Sequence, residues 1–290
     1  MTQTHHIAKP GSVTLGHAEL HWIEWGNPSG RPVLALHGWL DNAASFEHIA
    51  PLLNGVRLIA LDLPGHGLSY HRQLPGTYNI WDDLLDLLAL VDHFGWQTFA
   101  VIGHSRGGMI AKLLTATQPE RVNQLVLLDS LFPPDFNAED PVTQLANFLK
   151  GYSKPRRSPP TYESVQAAVD ARHAAIQMRP QAATPICERG LVKDEGGRFK
   201  WRSDFRLTLA SAFVMSQARS NKFVEAISCP NLIILAEQGM AKHDVAMDRI
   251  RQFEHIALQV LPGDHHFHLG DTAPAVAEAI NQFLAQVSLP

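Results

Sequence analysis

Six short apolar runs, at positions 33–36, 58–61, 99–102, 125–128, 232–235 and 258–261, carry almost no polar alternation. Runs of this kind suit strands covered on both faces, as in a parallel sheet. Between several of them the apolar residues change to helical spacing. In 81–94, Leu84, Leu87, Leu88 and Val91 recur on one face, and Gly95 supplies a C-terminal stop. Residues 275–287 read as a closing helix, and 17–25 alternate strongly enough to predict an edge hairpin strand. Strands alternating with helices predict an α/β fold with a doubly wound, mostly parallel sheet.

The rhythm breaks after residue 130 and resumes near 227. The chain therefore divides into a first core part (1–130), an insertion (131–226) and a second core part (227–290). The insertion holds the Pro-rich patch Lys154-Pro155-Arg156-Arg157-Ser158-Pro159-Pro160 and helical stretches near 162–178 and 206–218. Asp194-Glu195-Gly196-Gly197 predicts a turn between two short extended pieces. A mostly helical cap over the strand ends is the expected form.

Composition narrows the function classes. Over 290 residues, 45% are hydrophobic, 18% are charged and the net charge is −4 without a basic stripe, so nucleic acid is not an expected partner. No apolar stretch approaches the roughly 20 residues that span a bilayer. Residues 1–11 lack the apolar segment of a secretory signal. Only Cys187 and Cys229 occur, and two unpaired thiols in a core of this size suit a reducing, cytoplasmic compartment. No pattern speaks to oligomeric state.

Directly after the run 99–102 stands Gly103-His104-Ser105-Arg106-Gly107-Gly108, followed by a helical run over 109–117. This is G-x-S-x-G in the strand–turn–helix setting of a nucleophile elbow. A serine lifted on so tight a turn takes strained backbone angles, and the flanking glycines remove the Cβ atoms that would collide. The helix N-terminus behind Ser105 favours negative charge. His104 projects to the other side of the turn and reads as structural. The Arg106 side chain is expected to be solvated or paired.

Leu36-His37-Gly38-Trp39, Leu61-Asp62-Leu63-Pro64-Gly65-His66-Gly67-Leu68-Ser69 and the elbow resemble the α/β-hydrolase superfamily. Trp39-Leu40-Asp41-Asn42-Ala43-Ala44-Ser45-Phe46 is similar to its serine hydrolase-like branch. The resemblance covers the core and is weak across the insertion. It implies that the backbone N–H groups of Trp39 and Arg106 form an oxyanion hole, with His37 anchoring the loop. It also implies a general base in the loop after the last strand, where Asp264-His265-His266-Phe267-His268 stands. The family register favours His265, with His266 as the alternative and His268 as a pocket or packing residue. These histidines beside Asp271 could instead suggest a metal. Such a site needs three or four converging ligands, so none is expected.

The resemblance places the orienting acid after the strand 232–235, where Ala236-Glu237-Gln238-Gly239-Met240 lacks an Asp and Asp244 is further out. Relatives with the acid one strand earlier point to Asp129, and Glu237 is the alternative. The implied activity is cofactor-free hydrolysis of a small-molecule carboxylic ester through an acyl-enzyme, its rate rising with pH through the histidine. Phe132, Phe136, Phe205, Phe213, Met215 and Phe223 are candidate walls for a modest apolar group. The alternatives are a thioesterase, lactonase or carbon–carbon bond hydrolase on the same triad, or a non-catalytic binding protein on this fold.

Overall fold

Each of the six apolar runs forms a strand in a computed structural model of the chain, which describes residues 8–132, 140–154, 159–240 and 243–287. The elements run β1 (Lys9–Leu15), β2 (Ala18–Gly26), β3 (Arg31–Leu36), β4 (Val56–Leu61), α1 (Asp83–His93), β5 (Phe99–His104), α2 (Arg106–Thr117) and β6 (Val122–Leu128). The intervening segment contributes α3 (Pro141–Tyr152), β7 (Thr161–Tyr162), α4 (Val165–Ile176), α5 (Pro180–Gly190), β8 (Leu191–Lys193), β9 (Phe199–Trp201) and α6 (Gln217–Glu225). The chain then closes with β10 (Asn231–Gln238), α7 (His243–Ile250), β11 (Ala257–Asp264) and α8 (Ala273–Leu284).

Eight strands make one sheet in the order β1-β2-β4-β3-β5-β6-β10-β11. Pairs from β4 to β11 are parallel, whereas β1/β2 and β2/β4 are antiparallel. The predicted hairpin is present with β2 as its inner strand. The outer strand β1, too polar to register as a strand in the sequence, forms the edge. Five of the apolar runs lack alternation because both faces are covered, whereas β11 forms the opposite edge and has no buried residue. Leu34, Leu36, Val101, Leu125 and Ile233 face α1, α2 and α6 in one cluster. Val33, Ala35, Ile102, Val126 and Ile234 face α8 in the other.

Between β6 and β10 the chain leaves the sheet. Its own small core joins Ala168, Val169, Ile186 and Cys187 to Leu269 of the loop after β11. A three-stranded antiparallel sheet, β7-β9-β8, accompanies the helices. The turn at 194–197 joins β8 to β9, with Gly197 at φ +79°. The helix expected over 206–218 is replaced by a single 3-10 turn at Phe205–Thr208, and α6 begins only at Gln217. Caps explain the shift: Asp204 accepts from Arg206 N at 2.9 Å, and Ser216 Oγ accepts from Arg219 N at 3.4 Å. Cys187 and Cys229 are free thiols, each pushed up to about 11 by burial. No described helix is long and apolar enough to cross a membrane.

Candidate active site

Parallel register aligns the strand ends on one rim. Leu36 pairs with Gly103, His104 with Leu128, and Leu128 with Ile234. The strand order reverses between β3 and β5, which opens a crevice beyond their carboxyl ends. His37-Gly38-Trp39 enters this crevice from one side and Ser105 from the other.

The elbow is as tight as its sequence requires. Ser105 sits at φ +52°, ψ −118°, a conformation costing roughly 1–3 kcal/mol for a non-glycine residue. A Cβ on Gly103 would stand 2.6 Å from the Gly107 carbonyl oxygen, and one on Gly107 would stand 2.1 Å from that of Leu36. Neighbouring strands hold the turn: Ser105 N donates to Leu128 O at 3.2 Å, and Ser130 Oγ donates to Ser105 O at 2.7 Å. The Arg106 guanidinium is paired with Asp83 at 2.7 Å, so the side chain is structural. Among the described residues, neither Trp39 N–H nor Arg106 N–H donates to a protein acceptor.

His265 and Asp129 meet. His265 Nδ1 donates to Asp129 Oδ2 at 2.5 Å, with the two side chains 15% and 3% exposed. Asp129 itself stands at φ +45° after β6. The loop after β10 wraps its carboxylate: Ala236 N donates to Oδ1 and Met240 N to Oδ2, both at 3.2 Å. Burial opposes ionisation of Asp129, but the His265 bond and charge and these two amides outweigh it and lower the pKa. Gly239 is the residue that lets this loop close, since a Cβ there would lie 2.4 Å from both carboxylate oxygens. A lone glycine after a strand was the available sequence signal for that approach.

The competing residues go elsewhere. Glu237 lies at a register shift in β10 and is exposed. His266 Nε2 donates to Asp41 Oδ2 at 3.2 Å. His268 is fully buried against the His104 ring, with centroids 4.3 Å apart, and burial holds it well below the usual imidazole range. His37 accepts from Leu63 N at 3.0 Å through Nε2 and donates to Gly38 O at 2.8 Å through Nδ1. It therefore anchors the loop. His104 Nε2 must donate to the His265 carbonyl at 2.9 Å, so the elbow histidine clasps the loop that carries His265.

Asp41 Oδ2, His104 Nδ1 and His266 Nε2 lie within 4.8 Å of one another, a donor set that a metal could use. Arg172 already pairs with Asp41, so a divalent ion there would sit beside a guanidinium. Asp41 and Arg172 were both missed in the sequence. Asp41 lay inside the family-like stretch, but its partner is 131 positions away.

A cavity of 1250 Å³ is lined by Trp39, Leu40, Tyr162, Arg172, Trp201 and Phe205 among others, and it meets the site at Trp39 rather than at Ser105 or His265. Of the five described wall candidates only Phe205 lines it. Phe132 packs on the core beside Phe253, and the Phe205, Phe213, Met215 and Phe223 positions scatter because 209–216 is not helical. Phe136 falls outside the described residues.

A family model described as the alpha/beta hydrolase fold matches residues 31–175. A serine hydrolase-like protein of Danio rerio is 32% identical over 92% of this chain and 85% of its own length. The crystal structure of a hypothetical protein of Pseudomonas aeruginosa PAO1 is 39% identical, with a TM-score of 0.88 over 96% of this chain and 98% of that one. The thioesterase domain from the curacin biosynthetic pathway is 22% identical with a TM-score of 0.81, over 94% and 99% of the two chains, which is a likeness of fold.

Proposed function

The chain belongs to the α/β-hydrolase fold family, and on that premise we propose that it is a serine hydrolase cleaving carboxylic esters through an acyl-enzyme, with Ser105, His265 and Asp129 as its triad. The observation that carries this reading is the 2.5 Å bond from His265 Nδ1 to an Asp129 carboxylate held ionised on the same rim as the elbow. With its proton on Nδ1, the imidazole presents Nε2 as the base for the Ser105 hydroxyl. The serine oxygen attacks the ester carbonyl. The oxyanion that forms is bound by the N–H groups of Trp39 and Arg106, a pair worth about 3 kcal/mol or more. The imidazolium returns its proton to the leaving alcohol, and the same histidine then activates the water that releases the acid. No step calls on a cofactor.

The 131–226 insertion acts as the cap in this reading, and the cavity from Trp39 to Phe205 takes the larger part of the ester. Its exposed aromatic side chains favour an apolar group. Two measurements test the function together. A fluorophosphonate should label Ser105, and wild type but not Ser105→Ala should turn over p-nitrophenyl esters. Labelling with turnover of acyl thioesters alone would move the assignment to a thioesterase. An unlabelled Ser105 in folded protein would favour a binding protein.

A further inference from the structure

We propose that Asp41 is a positioning residue that holds the Trp39 turn and the His265 loop in register, and that Arg172 makes this hold depend on the docked insertion. The proposal rests on the serine-hydrolase reading above. Asp41 stands two residues after Trp39, with a side chain only 1% exposed. Its Oδ2 accepts from His266 Nε2 at 3.2 Å, whereas His104 Nδ1, 3.6 Å away, makes no hydrogen bond because the ring proton sits on Nε2. Its Oδ1 pairs with the Arg172 guanidinium. Arg172, on α4, also donates to Leu40 O at 3.1 Å and lies over the Trp201 ring, 5.6 Å from its centroid.

Two loops and one inserted helix therefore converge on a single buried carboxylate. His266, which it engages, directly follows His265. The elbow joins this assembly separately, through His104, which donates to the His265 carbonyl at 2.9 Å. The turn carrying Trp39 depends on the same node. Leu40 is held at φ +57°, where a leucine is strained, and its neighbours are tied by Asp41 N to Gly38 O at 3.2 Å and by Arg172 to Leu40 O. The Trp39 turn and the His265 loop thus share one electrostatic tether, and a displacement of about 1 Å in either can cost about 100-fold in rate.

The charges give a readout that general damage would not imitate. His265 is faced by Asp129 from the end of β6, His104 from β5, and Asp264 and His266 in its own loop. Arg179 approaches Asp264 at 4.0 Å, and Asp41 with Arg172 stands behind His104 and His266. Asp41→Asn leaves the guanidinium unbalanced, which disfavours the imidazolium and should lower the kinetic pKa of the base. Arg172→Gln leaves the carboxylate unbalanced and should raise it.

The test measures kcat, KM and the pH–rate profile for a p-nitrophenyl ester in wild type, both single variants and the double variant. Near-UV circular dichroism and the labelled fraction of Ser105 report folding. The expected result is a fall in kcat of about 100-fold for Asp41→Asn with KM little changed. The two kinetic pKa values should shift in opposite directions, and the double variant should return towards the wild-type pKa while kcat stays low. Wild-type kcat and pH profile in Asp41→Asn, or shifts of the same sign in the two variants, would overturn the proposal. Should Asp41→Asn not fold, Arg172→Gln decides it: a lowered kcat with a raised pKa supports the tether, and an unchanged profile refutes it. A wild type that neither hydrolyses esters nor is labelled at Ser105 would refute the hydrolase reading itself, a result distinct from all of these.

Discussion

Replacing Asp129 with asparagine changes one atom and should remove nearly all turnover. The carboxylate accepts three hydrogen bonds, from His265 Nδ1, Ala236 N and Met240 N. An amide has one oxygen, so its NH2 must confront a donor. Turned towards Ala236, it opposes an N–H of a residue that is 3% exposed, and a buried unpaired donor costs about 1–3 kcal/mol. Turned towards His265 and Met240, it meets an N–H on a residue 71% exposed, which water can satisfy. The second orientation is favoured, and it places a donor against His265 Nδ1. The imidazole must then accept there and carry its proton on Nε2, where it can no longer take the Ser105 proton. Loss of the correct tautomer costs about 10⁴-fold in kcat, or about 5 kcal/mol of transition-state stabilisation. The assay is steady-state hydrolysis of a p-nitrophenyl ester with Glu237→Gln as control, expected at wild-type rate because Glu237 is exposed. Asp129→Asn within tenfold of wild type, or a collapse in Glu237→Gln, would refute the assignment.

Further tests probe the surroundings. Gly239→Ala drives a methyl to within 2.4 Å of the Asp129 oxygens, so the β10 loop must retreat; kcat should fall with Ser105 still labelled, and stability should drop by about 1–3 kcal/mol in urea melts. Arg189→Met strips the partner at 2.8 Å from fully buried Asp62, and a loss of about 3–5 kcal/mol in the same melts is expected. Joint replacement with Asp62→Asn should recover part of it, and an additive result would argue against pairing. Stability should also depend on acid through Asp129. Its folded pKa is depressed below the unfolded value, so its contribution is fully present above the ordinary carboxylate range and is lost as pH falls through the folded value. Thermal melts from pH 7 downward should show a smaller decline in Asp129→Asn than in wild type; equal slopes would contradict the lowered pKa. For activity, kcat/KM should rise with pH through one deprotonation, and a flat profile from about pH 5 to 8 would remove a histidine base.

Much of the molecule could be read from the chain. Continuous apolar runs are what strands covered on both faces must look like, and five of the six became such strands, while the sixth became the half-buried edge strand β11. The elbow was equally legible, because only glycine fits where a Cβ would stand 2.1 Å from the Leu36 carbonyl. Both signals are local: they depend on residues within a few positions of one another. The polar edge strand β1 and the loop at 209–216 were missed or misread, since neither an exposed edge nor an irregular segment imposes apolar spacing. Among the candidate site residues, sequence reached the loops that the structure brings together but ranked the side chains within them through family likeness. His265 and His266 have identical chemistry and adjacent numbers. What separates them is that one turns to Asp129 and the other to Asp41, partners 136 and 225 positions away. Glu237 and Asp129 are separated by a bulge that sends one outward and by two amides and Gly239 that enclose the other. Sequence by itself determined the sheet and the strained turn that lifts Ser105. Which imidazole meets which carboxylate was decided only by the tertiary structure, because hydrogen-bond direction and burial arise where distant strand ends come together.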